Sequence, residues 1–181
     1  MNIVLCGMMG CGKTVVSAEL ARLTGLERVD TDEEIVKKYG RIADIFSKYG
    51  EERFREIERE VVAQISSRSG IIIATGGGCV LSEENVSNLK RGGKIFFLQA
   101  EVPTLIKRLE GDTERPLLAG DAAQRIAQLL AVRTPIYTAA ADEVVVTDGN
   151  SPAYIAKLIA SKCGLGAVSY THLTLPTILR V

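Results

Sequence analysis

Residues 7–14 read GMMGCGKT, after the apolar run NIVLC at 2–6 and at the head of KTVVSAELARLTG at 13–25. The apolar run reads as a buried parallel strand. The segment after it has apolar residues at helical spacing and closes on Gly25, so it reads as a helix. Between strand and helix the pattern G-x-x-x-x-G-K-[ST] is complete, in the setting where it carries a mechanism. Glycines let successive backbone N–H groups converge on phosphate oxygens, and the helix N-terminus adds partial positive charge. Lys13 is placed to bridge β- and γ-phosphates, and the Thr14 hydroxyl to ligate Mg²⁺. The stretch therefore predicts a nucleoside triphosphate site; the plain alternative is a glycine-rich turn with an incidental lysine. A thiol at Cys11, beside a helix N-terminus, invites a lowered pKa, but a small tolerated residue is the simpler reading.

The remaining chain alternates strand and helix patterns. ERVD, IIIAT (71–75), KIFFLQ (94–99) and DEVVVT read as strands. Thr31 to about Ser67 reads as helical, broken near Gly40 and Gly50. SEENVSNLKR and VPTLIKRLEG follow as helices, then AAQRIAQLLAVRTPIY, interrupted by Pro135. A last helix opens with Pro152 and is stopped by Gly164. Such alternation predicts an α/β protein with a parallel sheet, and 181 residues fit one domain.

Charge narrows the function classes. Lys+Arg and Asp+Glu both number 22, so no polybasic surface for nucleic acid is expected. No apolar run approaches the roughly 18 residues of a membrane span. Cys6, Cys11, Cys79 and Cys163 lack metal-ligand spacing and read as reduced thiols of a cytoplasmic protein. The chain begins directly with a strand, without a signal-peptide pattern.

The segment 167–181 breaks the pattern, and SYTHLTLPT at 169–177 is also a reading-frame translation of a sequencing adapter. The expectation is that 167–181 is foreign, that 1–166 is the domain, and that His172, the only histidine, carries no chemistry.

What kind of phosphoryl acceptor is served depends on four further stretches. RVDTDEEI at 28–35 packs acids where a strand turns into a helix. Capping explains acids there; two aspartates one residue apart also suit a metal and a substrate. GEERFREIERE at 50–60 puts Arg55 and Glu58 on one helix face. ATGGGCV at 74–80 places three glycines at the carboxyl end of a strand, where α/β proteins bind ligands. AVRTPIY puts Arg133 just ahead of the proline break.

Taken together, GMMGCGKT, DTD, GEERFREIE, TGGG, RPLL and RTPIY resemble, in order and spacing, the shikimate kinase family of nucleoside-monophosphate-kinase-like P-loop proteins. The resemblance covers about 1–165 and implies a P-loop NTPase fold: a three-layer α/β/α domain with a five-stranded parallel sheet and a mobile lid at about 111–121. It implies ATP-dependent phosphorylation of the shikimate 3-hydroxyl, a step of chorismate and aromatic amino-acid biosynthesis, by a monomer with Mg²⁺ as cofactor. ATP and shikimate are the expected partners; nucleic acid and membrane are not.

Roles follow from the same resemblance. Gly10, Cys11, Gly12, Lys13, Thr14 and Val15 would hold the phosphates, with Thr14 and Asp30 on the Mg²⁺ side. Arg108 and Pro152 would sandwich the adenine, and Arg115 would close over the phosphates from the lid. Asp32 would meet the acceptor hydroxyl, while Arg55 and Arg133 clamp the carboxylate. Glu58 would orient Arg55, Phe54 would line the pocket, and Gly76, Gly77 and Gly78 would approach the substrate through their backbone. The chain departs from the family in carrying Cys11 and in reading TAAAD after the RTPIY tyrosine. A gluconate kinase, a nucleoside monophosphate kinase and a nucleotide-dependent binding module are the rival readings.

Overall fold

The computed structural model describes residues 1–109 and 122–166. The expected lid with Arg115, and the tail with His172, lie outside the described residues.

Strands β1 (Asn2–Cys6), β2 (Glu27–Asp30), β3 (Ile71–Ala74), β4 (Gly93–Gln99) and β5 (Glu143–Val146) form one parallel sheet in the order β2-β3-β1-β4-β5. β1 is central, with Val4 in register with Ile73 on one side and Ile95 on the other. Every residue of β1 and β3 is buried, which is why both read as unbroken apolar runs and not as alternations.

Helices α1 (Lys13–Thr24) and α7 (Pro152–Lys162) pack together. α2 (Thr31–Tyr39) leads into α3 (Ile42–Ser66), which packs on α4 (Glu83–Gly92). α5 (Val102–Leu109) packs on α6 (Ala122–Ala140), and α4 and α6 both touch β4. Right-handed crossovers explain the two layers. The step from β1 to β2 runs one way across the sheet, and the steps from β2 to β3, β3 to β4 and β4 to β5 run the other way. The α1 layer therefore lies on one face and the α3–α4–α6 layer on the other. The architecture is the expected three-layer α/β/α sandwich. The reversal beside β1 opens a crevice at the carboxyl ends of the strands.

Both glycine breaks expected between Thr31 and Ser67 are present. α2 ends before Gly40, and Gly50, at φ 78° and ψ 176°, kinks α3. Pro135 does not interrupt α6, contrary to expectation; the helix runs through it to Ala140. Proline costs the N–H that would bond the Ala131 carbonyl, and both residues lie on the exposed side of the helix, where the lost bond is least costly. Among the described residues no helix is long and apolar enough to cross a membrane. All four cysteines are free thiols.

Candidate active site

The phosphate loop leaves the end of β1 and closes on α1. Its backbone is tightly packed: a Cβ on Gly7, which sits at φ +142°, would lie 2.6 Å from the Leu98 carbonyl oxygen. α2, α4 and α7 are capped by Asp30, Ser82 and Ser151. α1 begins at left-handed Gly12 with no side-chain cap and no acid in its first turn. Its leading N–H groups and the positive end of its dipole face the cleft. Lys13 Nζ donates to the carbonyls of Gly7 (2.8 Å) and Met8 (3.0 Å) and contacts Cys11 Sγ at 3.7 Å. Arg108 ties the loop to the end of β5: Nη1 donates to the carbonyls of Gly10 (3.3 Å) and Cys11 (3.2 Å) and to Thr147 Oγ1 (3.2 Å).

At the end of β2 the three residues DTD divide their tasks. Asp30 Oδ1 accepts from the N–H groups of Asp32 (2.9 Å) and Glu33 (3.3 Å), so the capping explanation of this acid holds. Its Oδ2 lies 3.5 Å from Arg28, whose Nε donates to buried Ser17 Oγ at 2.9 Å. Thr31 points the other way, fully buried, and its Oγ1 accepts from Gly76 N–H at 2.8 Å. Asp32 projects toward the glycines at the end of β3. Glu33 and Glu34 are surface acids paired with Arg28 and Lys37.

The three glycines are needed for side chains that come to them. A Cβ on Gly76 would lie 2.5 Å from Asp32 Oδ1, and one on Gly78 would lie 2.7 Å from both terminal nitrogens of Arg55. Gly77 has more room, with Arg133 Nη1 at 3.9 Å. Its carbonyl accepts a 2.6 Å hydrogen bond from the hydroxyl of Tyr137, which is fully buried. Asn85 Nδ2 donates to the Cys79 carbonyl at 2.9 Å. α2, α4 and α6 thus each pin this short segment.

Arg55 Nη1 pairs with Glu58 Oε2 at 2.9 Å, as the three-residue spacing predicts. Glu58 is 2% exposed. Burial raises its carboxyl pKa, and the Arg55 guanidinium pulls against that rise. Arg55 also lies over the Phe54 ring, 5.2 Å from its centroid.

These elements enclose a cleft of about 1260 Å³. Its phosphate end is walled by the loop from Gly10 to Val15, with Asp30 and Asp32 beside it. Arg108 and Pro152 line the same cleft, together with Thr147 and Asn150. Gly76, Gly77, Gly78 and Arg133 line the cleft next to the loop, a Cβ on Gly77 lying 3.9 Å from both the Gly7 carbonyl oxygen and Met9 N. Arg55 and Glu58 stand behind Gly78. Phe54, expected to line the pocket, lies beneath the wall instead: it is 5% exposed and packs under Phe46, ring centroids 4.7 Å apart. Phe46, 39% exposed, lines the cleft in its place, because the Gly50 kink folds the first part of α3 over the second. Arg115 lies outside the described residues. Sequence reasoning missed Thr31, Phe46 and Tyr137. The four-residue spacing from Arg133 to Tyr137 was the available signal for the last.

The donor set suits Mg²⁺. Among the described residues no three His, Cys, Asp or Glu side chains gather into a protein cage. Thr14 and Asp30, hard oxygen donors, line the cleft beside the phosphate loop, and Mg²⁺ prefers one or two such ligands plus phosphate and water.

Comparison with known proteins agrees with this geometry. The family model for shikimate kinase matches residues 9–163. The shikimate kinases of Caldicellulosiruptor bescii and Thermodesulfovibrio yellowstonii are 42% identical over 162 residues and 45% over 160; the matches cover 88% and 87% of this chain and 94% and 92% of theirs. The solved structure of shikimate kinase from Acinetobacter baumannii in complex with shikimate is 37% identical, with a TM-score of 0.81 over 89% of this chain and 93% of that one. With an uncapped phosphate-loop helix and an arginine-backed glycine strip side by side in one cleft, the chain belongs to the shikimate kinase family.

Proposed function

We propose that this chain transfers the γ-phosphoryl group of ATP to the 3-hydroxyl of shikimate, giving shikimate 3-phosphate and ADP in aromatic amino-acid biosynthesis. One observation carries the reading: the Asp32 carboxylate and the Arg55 guanidinium occupy the spaces that side chains at Gly76 and Gly78 would fill, with Arg133 beside Gly77. A carboxylate and two guanidinium groups thus converge on one glycine strip, beside the phosphate loop in the same cleft. That is what a small acceptor bearing both a hydroxyl and a carboxylate requires.

Phosphoryl transfer needs alignment and charge neutralisation more than covalent help. Lys13 leaves its loop carbonyls for the β- and γ-phosphates, and the first N–H groups of α1 receive their oxygens. The Thr14 hydroxyl and, through water, Asp30 would hold Mg²⁺, which when bound would supply charge neutralisation at the phosphates. Arg55 and Arg133 grip the shikimate carboxylate through their planar forks. Buried Glu58 keeps Arg55 in place. Asp32 accepts the hydrogen bond of the acceptor hydroxyl and takes its proton as the bond to phosphorus forms. Arg108 and Pro152 bracket the adenine, and Phe46 covers the acceptor. For Arg115, outside the described residues, the family resemblance supports a charge-neutralising role at the phosphates. The free thiols support a reducing, cytoplasmic setting, and the family resemblance supports a monomer.

The test is ADP release with Mg-ATP, alone, with shikimate and with gluconate. Release that requires shikimate is the expected result. Stimulation by gluconate alone would overturn the acceptor and the arginine assignments together.

A further inference from the structure

α6 brings a second polar side chain to the glycine strip, and the scheme above does not use it. Tyr137 lies four residues after Arg133, so both project from one face of the helix. Its ring is fully buried and tilted against Phe97, centroids 5.1 Å apart. Its hydroxyl donates to the Gly77 carbonyl at 2.6 Å, and the Arg133 guanidinium is near enough to the same phenol to oppose the rise in its pKa. Arg133 Nη1 in turn lies 3.9 Å from where a Gly77 side chain would begin. A phenol oxygen donates one hydrogen bond while accepting another. Burial raises the Tyr137 pKa above its ordinary value, with Arg133 opposing, so the donor proton is retained at neutral pH.

We infer that Tyr137 is a positioning residue for the acceptor: the path from Arg133 through the Tyr137 hydroxyl to the Gly77 carbonyl sets the Arg133 fork over the glycine strip before shikimate arrives. The inference rests on the reading in which Arg133 grips the carboxylate. An arginine has a long, rotamer-rich side chain, and holding it in its binding geometry beforehand removes an ordering cost from ligand binding. The same bond fixes the height of Gly77 against α6, so carboxylate clamp and backbone wall move as one unit.

Equilibrium titrations of shikimate and of ATP onto the wild type, Tyr137→Phe, Arg133→Ala and the double variant test this. Tyr137→Phe keeps the ring and loses the hydroxyl. Its shikimate affinity is expected to fall about tenfold, the size of one lost hydrogen bond with a buried acceptor left unpaired, while ATP affinity holds. The double variant should bind shikimate no more weakly than Arg133→Ala alone, because the tyrosine acts through the arginine. A shikimate analogue with hydroxymethyl in place of the carboxylate should bind Tyr137→Phe and wild type equally, a readout that general loosening of the fold would not produce. Site-specific difluorotyrosine at 137, which changes phenol acidity and little else, should move the alkaline loss of shikimate affinity to lower pH even if the phenylalanine variant folds poorly. Wild-type shikimate affinity in Tyr137→Phe, parallel loss of ATP affinity, or additive losses in the double variant would overturn the inference and leave the proposed function standing. Unchanged shikimate affinity in Arg133→Ala would overturn both.

Discussion

Glu58 is 2% exposed yet ionisable, a combination that folded proteins tolerate with a partner close by. Arg55 supplies that partner, and burial still holds the carboxyl above its ordinary 4.5. Between the ordinary and the raised value the folded state binds more protons than the unfolded state, so stability falls as pH rises through that interval. Glu58→Gln cannot titrate. Denaturant unfolding of both proteins from about pH 4 to pH 7 should therefore show the wild type losing stability relative to the variant as pH rises; parallel curves would remove Glu58 as the source. Asp32 meets a different test, since the role proposed for it is chemical. Asp32→Asn keeps the shape of the side chain and removes the base, so turnover should drop by roughly 10²-fold or more with ATP binding largely kept. Near-normal turnover in a steady-state assay would take Asp32 out of the mechanism.

The glycine strip is the element where three identical residues have unequal tasks. Gly76→Ala would drive a methyl into the Asp32 carboxylate, and Gly78→Ala would drive one into the Arg55 guanidinium. Both clashes fall on the far ends of flexible side chains, so the fold should survive while the site geometry does not. A displacement of about 1 Å at reacting groups costs on the order of 10²-fold in rate. Each variant should accordingly lose at least about tenfold in kcat/KM for shikimate while keeping its KM for ATP. Gly77→Ala meets only ordinary contacts at 3.9 Å and should lose less; an equal loss in all three would mean that backbone approach to substrate, and not side-chain room, sets the requirement. Caps follow a simpler rule. Ser151 starts α7 by accepting from Tyr154 N–H at 3.2 Å, so Ser151→Ala should cost about 1 kcal/mol of stability in denaturant unfolding. That helix packs on α1, the phosphate-loop helix, yet ATP binding should hold in the folded variant.

Across the whole molecule, function follows from where the sheet reverses direction. The phosphate loop after β1, the DTD turn after β2 and the glycine strip after β3 all leave the same sheet edge. Neighbouring strands lie about 4.8 Å apart, so three adjacent strand ends place a nucleotide site and a small-acceptor site within reach of each other. A chain ending at Gly166 should release ADP with shikimate as the full chain does, because the packing described above closes with α7 and the few residues after it; loss of shikimate-dependent release on truncation would assign 167–181 a part in the fold.

The sequence by itself determined the phosphate loop, the five strands and the pairing of Arg55 with Glu58. Those signals are local: a fixed eight-residue pattern, unbroken apolar runs, and side chains one helical turn apart. It also marked the glycine strip as a site through backbone approach to substrate; the structure adds that Asp32 and Arg55 take the room at Gly76 and Gly78. Pro135 was misread because tolerance of a helical proline depends on whether the orphaned carbonyl faces water, which one segment read alone does not reveal. The exchange of Phe54 for Phe46 came from the direction of a single kink. Tertiary structure alone decided the strand order and the bonds of Thr31 to Gly76 and Tyr137 to Gly77, which join residues 45 and 60 positions apart. Contacts at such separations leave no periodic trace along the chain; they exist only once the sheet has brought the ends of its strands together.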